Sequence, residues 1–270
     1  MIIAVPKPGI SPEESLLPVL YHIGNYGVPS YDVFLTIAAL VGVWIGWREA
    51  KSFGYTSQQL AGFFIFVVPL AFLMGLVNGV LFSRGFYQRI AQGHLDLGGG
   101  LVSYGIVFTA FVTIIAFHKK NGGPLGKTLD SAAIVLAVIL GITRIGCFLN
   151  GCCYGLVTAG FGGIYLPDVY GEWAYRYPTQ LMLLALDSAL FIGLWYYRRR
   201  GPADGSVAIA FLFWFGLGRL LIDSLRDIPS ILGPFSFHQL MDMAIIIGAV
   251  ALMAWRRRAP DQAPTATTGA

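Results

Sequence analysis

Two arginines fall inside stretches that are otherwise apolar. Arg144 lies in GITRIGCFLNGCCYG, near the end of one such run, and Arg219 lies in FGLGRLLIDSLRD, within another. A charge at mid-depth in a bilayer costs roughly 2.5–3.5 kcal/mol on insertion scales, so it is normally retained for a purpose. Asp223 and Arg226 follow Arg219 at helical spacing, which puts all three on one face. Asp187 and Asp242 complete the set of charges embedded in apolar sequence. Guanidinium keeps its proton, and its planar fork takes a phosphate bidentately. Two arrangements are open at this point. Arg219 and Asp223 could form an internal pair while Arg144 reaches out to the membrane interface. Alternatively, Arg144 and Arg219 converge on an anionic lipid headgroup, with Asp223 and Asp187 orienting them.

The segments around these charges narrow the chemistry further. LGGGLVSYG at 97–105 holds Gly98, Gly99 and Gly100, which would let backbone approach a ligand closely and would equally serve close helix packing. Asn150–Gly151 reads as a helix C-cap. Tyr177-Pro178-Thr179-Gln180 reads as a helix start, with proline near the first turn. Cys147, Cys152 and Cys153 have no histidines at zinc-site spacing, so no metal site is expected. Cys152–Cys153 could be a vicinal redox pair or a nucleophile, or the cysteines could be small apolar packing residues. Of His22, His94, His118 and His238, all near membrane surfaces, His94 alone stands where chemistry is expected.

The elements that must position these residues are membrane helices. The 270 residues are 56% hydrophobic and 12% charged, with a mean hydropathy of +0.68. A soluble domain would carry about 25% charged residues. Seven apolar runs, at about 31–47, 60–82, 99–117, 131–149, 179–197, 206–222 and 237–255, are long enough to span a bilayer. In lipid the backbone must satisfy its own polar groups, so each run is expected to be helical. One set of alternate loops, with the C-terminal tail, holds eleven Lys and Arg, and the other set holds five. The positive-inside rule then predicts N-terminus out and C-terminus in, which requires an odd number of spans. The fold class is therefore an all-α polytopic membrane protein. Its expected parts are an outward N-terminal segment at 1–30, a seven-helix transmembrane domain at 31–255 and a disordered inward tail at 256–270. The N-terminus does not read as a cleaved signal peptide. The long outward loops, 83–98 and 150–178, are where function is expected. No internal repeat is evident, which speaks against a transporter. No cofactor and no nucleic-acid partner are expected.

Read together and in order, these segments resemble the bacterial prolipoprotein diacylglyceryl transferase family, from about Tyr31 to Gln239. Tyr31 looks like the family's N-terminal tyrosine, and LGGGLVSYG resembles its glycine-rich segment. RIGCFLNGCCYG at 144–155 resembles the signature in which an arginine precedes Asn-Phe-x-Asn-Gly-Glu and an aromatic-Gly. YPTQL at 177–181 looks like His-Pro-Ser-Gln-Leu, and GRLLIDSLRD at 218–227 resembles the Arg-x-x-x-Glu-x-x-Arg helix. The sequence departs from the pattern at Tyr104, which stands for a histidine. Cys147 stands for the first signature asparagine, Cys152 for the glutamate and Asp223 for a glutamate. The resemblance implies transfer of the diacylglyceryl group of phosphatidylglycerol to the lipobox cysteine of a prolipoprotein signal peptide, releasing glycerol 1-phosphate. The site would face the periplasmic side of the bacterial inner membrane. Arg144, Arg219, Tyr104 and Asp223 would then be catalytic, while Tyr31, Gly99, Gly100, Asn150, Gly155, Gln180 and Arg226 would bind substrate. A paralogue using the same phospholipid with another acceptor, or a non-catalytic anionic-lipid binder or transporter, is the alternative.

Overall fold

The computed structural model describes residues 16–17, 19–23, 26–82, 102–168, 172–228 and 230–258. Each of the apolar runs lies in a helix over its described residues, residues 99–101 of the third run falling outside them. The helices are α1 (Ser30–Ser52), α2 (Ser57–Phe82), α3 (Val102–Asn121), α4 (Leu125–Leu149), α5 (Thr179–Arg199), α6 (Ser206–Asp223) and α7 (Phe237–Arg258). All except α3 are, over their described residues, long and apolar enough to cross a membrane. Local sequence sets several of the starts. At α2, the Thr56 side chain accepts from the Gln59 amide at 3.2 Å while Gln59 accepts from the Thr56 amide at 2.9 Å. Ser236 and Gln239 make the same reciprocal box at α7. The start of α6 is capped from a distance. Asp130 of α4 accepts from the amides of Gly205 (2.7 Å) and Ala208 (2.8 Å), placing a carboxylate at the positive end of the α6 dipole.

The centre of the bundle is α4, which packs against α1, α3, α5 and α6. Sixty-one per cent of its most apolar stretch is buried inside the protein, against 6% for α2, which rides on the outside against α3. Leu140, Leu190, Leu194, Val207, Phe211 and Phe215 form the heart of the core. The perimeter is the reverse of a soluble protein's. Leu40, Ile65, Phe66, Phe108, Leu221 and Ile247 are exposed, a surface that only a hydrocarbon phase would cover. This is a multi-pass membrane protein.

Helix direction separates the two ends of the bundle. At one end Arg198 meets Glu49 at 2.6 Å, and Ser131 donates to the same carboxylate at 3.0 Å. There Arg48 lies over the Trp44 ring at 5.3 Å and Arg199 over Trp195 at 5.4 Å, an aromatic and basic belt of the kind found at a membrane interface. At the other end stand three short antiparallel hairpins that the sequence reading treated as connections. They are β1 (Val19–Ile23) with β2 (Tyr26–Pro29), β3 (Ile164–Pro167) with β4 (Trp173–Arg176), and β5 (Ser230–Leu232) with β6 (Phe235–Ser236). Tyr165 stacks on Trp173 and Tyr175 across the second hairpin, which suits aromatic cross-strand pairing. The expected tail lies, from residue 259 on, outside the described residues, as do the first fifteen residues and 83–101.

Candidate functional site

The site is assembled at the hairpin end, and α4 supplies its first residue. Arg144 lies one helical turn before Cys147, with 3% of its surface exposed. It does not reach to the interface. Its Nε lies 3.7 Å from Asp187 on α5. Arg219 on α6 is fully buried, with NH2 3.4 Å from Asp223 and Nε 3.6 Å from Asp242 on α7. Asp187 lies close enough to feel Arg219 as well as Arg144. Arg226, just past α6, donates to Asp223 at 2.9 Å. The charges singled out in the sequence thus form one buried network spanning α4, α5, α6 and α7. The internal Arg219–Asp223 pair exists, but as part of that network rather than as its alternative.

The chain between α4 and α5 is held against this network by backbone. Gly155 pairs with Arg226, its amide donating to the Tyr177 carbonyl at 3.2 Å, while the Leu156 amide donates to Leu225 at 2.8 Å. A Cβ on Gly155 would fall 2.4 Å from the Tyr177 oxygen and 2.9 Å from the Leu225 oxygen. Both are backbone atoms, so only glycine fits there. Arg176 is buried beside this seam, 3.0 Å from Asp168 and 4.8 Å from the centre of the Tyr154 ring.

Asn150 ends α4 as its C-cap, and Gly151 follows at φ +71°, as the Asn-Gly pair implied. Cys153 also takes a positive φ, +62°, which side-chain-bearing residues rarely adopt. The reversal brings Cys152 back to α4, its amide donating to the Cys147 carbonyl at 3.1 Å. Two residues at the start of α5 hold the turn: Gln180 donates to the Cys152 carbonyl at 2.9 Å and Thr179 to the Cys153 carbonyl at 2.8 Å. The sulfur atoms of Cys147, Cys152 and Cys153 all lie within 4.8 Å of one another. Hydrogen bonds from Cys147 and Cys152 hold the Cys153 thiol well below its ordinary pKa. Burial opposes this, and Arg226 and Arg144 act in the same lowering direction. The Cys152 thiol is pushed well up by its bonds to the other two and by burial.

Tyr31, at the start of α1, packs on Cys147 and Cys152. α1 can come this close because α4 has a glycine opposite it. A Cβ at Gly146 would lie 2.8 Å from Phe34 Cβ and 3.1 Å from Tyr31 Cα. Below Tyr31 an apolar cavity of about 700 Å³ runs between α1, α2, α3 and α4 towards Glu49 and Tyr55. Leu40, Val68 and Phe72 line it and are themselves exposed on the perimeter.

The structure therefore brings together Arg144, Arg219, Asp223 and Arg226 in one network, and sets Tyr31, Asn150, Gly155 and Gln180 around the turn beside it. Gly99, Gly100 and His94 lie outside the described residues, as does the side chain of Tyr104, whose backbone belongs to the first turn of α3. One residue was underrated from sequence. His238, which the sequence places near a membrane surface with no part in the chemistry, is buried on α7, close enough to Asp223, Arg226 and Arg219 to interact with each electrostatically. Its spacing of four from Asp242 was the available signal, because that puts both on one helix face. The gathering of the three thiols was missed as well, since a short loop spacing does not reveal a reversal through two positive-φ residues.

A sequence model of the family described as prolipoprotein diacylglyceryl transferase matches residues 18–255. The relatives include proteins of Bacillus cereus (strain B4264) and Bacillus anthracis (strain CDC 684 / NRRL 3495). Each is called phosphatidylglycerol–prolipoprotein diacylglyceryl transferase and is 28% identical over 254 residues, covering 89% of this chain and 92% of the relative. A protein of the same name from Bacillus mycoides (strain KBAB4) matches to the same extent.

Proposed function

The chain belongs to the prolipoprotein diacylglyceryl transferase family, and from that premise we propose how its own residues carry out the transfer. The enzyme takes phosphatidylglycerol and a prolipoprotein as substrates. The lipobox cysteine sulfur forms a bond to the terminal glyceryl carbon, the bond from that carbon to the phosphate oxygen breaks, and glycerol 1-phosphate leaves with the electron pair. The thiol proton is lost. The leaving phosphate gains negative charge as this bond breaks, so fixed cations at that point lower the barrier.

The observation that carries this reading is the convergence of the buried Arg144 and Arg219, from different helices, on one end of the bundle, with Asp187 close to both. The carboxylates keep the buried guanidinium groups in charge balance, while a phosphate oxygen can compete for their N–H groups. Asp223 is held more firmly by Arg226 and acts as the pivot that orients Arg219. Tyr31, Asn150, Gly155 and Gln180 shape the wall beside Arg144, and the apolar cavity under Tyr31 takes acyl chain. Gly99 and Gly100 as substrate-binding residues, and Tyr104 as a catalytic one, rest on the sequence resemblance alone. The basic end of the bundle faces the cytoplasm, as the positive-inside rule requires, so the site opens on the periplasmic side of the inner membrane.

The test is complementation of cells depleted of their own diacylglyceryl transferase, read as the mass of a reporter prolipoprotein. The wild-type chain should add a diacylglyceryl group, and Arg144→Ala should not. A well-expressed wild-type protein that leaves the reporter unmodified would overturn the proposal.

A further inference from the structure

Three sulfur atoms that the transfer itself does not require meet at the end of α4. We propose that Cys147, Cys152 and Cys153 form a three-thiolate site for one soft cation of the zinc class, with the acceptor thiol taking the remaining coordination position. The second half of this statement rests on the transferase reading; the first does not.

The geometry fits an ion. With metal–sulfur bonds of about 2.3 Å, three sulfurs around a shared centre lie roughly 4 Å apart. The three here lie within 4.8 Å of one another, and none is in a disulfide. The arrangement is also built from outside the cluster. Cys152 is fixed by Gln180 and by the Cys147 carbonyl, Cys153 by Thr179, and Gly151 and Cys153 both take positive φ to complete the reversal. The Gln180 side chain, with 2% of its surface exposed, has its carbonyl oxygen buried with no hydrogen-bond partner among the described residues. Charge is accommodated too. Three thiolates and a divalent cation carry one net negative charge, and Arg226 and Arg144 are both near enough to Cys153 to offset it.

Three protein ligands and one exchangeable position is the arrangement of catalytic rather than structural zinc. Loading forms three metal–sulfur bonds and releases to solvent whatever protons the three thiols still carry, with no change of oxidation state. A fourth thiol that coordinates loses its proton outright. The acceptor cysteine would thereby become a thiolate next to Arg144, one turn from where the phosphate leaves.

The experiment uses full-length protein purified in detergent under reductant, stripped with chelator and reloaded with Zn(II) or Co(II). The chain has three cysteines in all, so maleimide labelling read by mass reports on this cluster alone. One metal per chain is expected, with all three thiols protected by zinc and released by chelator. Cobalt should give an intense thiolate charge-transfer band. Each of Cys147→Ser, Cys152→Ser and Cys153→Ser should weaken binding by more than the roughly 10–100-fold lost when a supporting partner of a ligand is removed. Equal labelling rates of the wild-type protein with and without zinc overturn the site, whatever the variants do, and so does a disulfide among the three thiols. A peptide with a single acceptor cysteine should strengthen the cobalt band, and its serine counterpart should not; an unchanged spectrum overturns the acceptor half. Lipidation that survives in the triple serine variant removes the metal from catalysis and leaves the transferase reading standing. Zinc binding by a protein that lipidates nothing does the opposite.

Discussion

The two ends of the bundle keep their charges in different surroundings. At the basic end, Arg198 and Glu49 meet at 2.6 Å with a third to a quarter of each side chain exposed, and Ser131 adds a further hydrogen bond. Asp130 spends both carboxylate oxygens on the start of α6. These contacts are short, and they tie one helix to another. At the hairpin end the central arginines are almost wholly buried, yet they sit 3.4–3.7 Å from three aspartates. Burial raises the cost of leaving a charge without a partner. Beside them Arg226 meets Asp223 at 2.9 Å and Arg176 meets Asp168 at 3.0 Å, also buried, so the two ends differ in how far the charges are kept from water rather than in the length of a pair. The difference teaches that a cluster of buried arginines from several helices, and not one surface pair, marks the end where the fold concentrates its charge.

Substitutions at four positions bear on that contrast. The largest effect belongs to Arg144→Ala, which should lower the lipidation rate at least about 100–1000-fold, as loss of a donor to developing negative charge does elsewhere. Arg144→Lys should recover little of this, because an ammonium lacks the planar fork. Normal lipidation by Arg144→Ala would erase the distinction between the two ends. Next comes Asp242→Ala, which removes a carboxylate 3.6 Å from the fully buried Arg219. Breaking a buried pair from one side costs about 3–5 kcal/mol, so the melting temperature in detergent should fall clearly. A melt indistinguishable from wild type would mean that Asp242 does not balance Arg219. Gly155→Ala should cost about 1–3 kcal/mol by overpacking and should reduce activity as well, because the segment it displaces pairs with Arg226. If stability fell while lipidation kinetics stayed unchanged, the seam would be purely structural. The smallest effect should come from Glu49→Gln. A half-exposed pair contributes at most about 1 kcal/mol, and lipidation should be untouched. A large loss of activity here would show that the basic end takes part in function.

Much of this was legible in the sequence, for identifiable reasons. Helices in lipid are forced by the backbone, so length and hydropathy found the seven helices of the described residues, and the cost of intramembrane charge marked Arg144, Arg219, Asp187, Asp223 and Asp242. The Asn150–Gly151 cap was readable because only glycine is at ease at that φ. What escaped depends on contacts between distant segments. The Gly155 seam is set by carbonyls at 177 and 225, and the burial of His238 by how α7 lies against α6. The thiol cluster needs Thr179 and Gln180 from the next helix to hold its turn. The hairpins were missed because strands of two to five residues leave little periodic pattern to detect.

The cavity beneath Tyr31 has a kinetic consequence. Its walls include Leu40, Val68 and Phe72, which also form part of the outer perimeter, so its side entrance lies within the bilayer rather than in water. A molecule entering there arrives by diffusing in two dimensions. Its effective concentration is a mole fraction of the surrounding lipid, not an amount per volume. Diluting an anionic phospholipid with an inert one at constant total lipid should slow turnover, whereas doubling the vesicles at fixed composition should not change it. For such an enzyme a Michaelis constant in molar units has no fixed meaning, and the composition of the membrane itself becomes the regulator of flux.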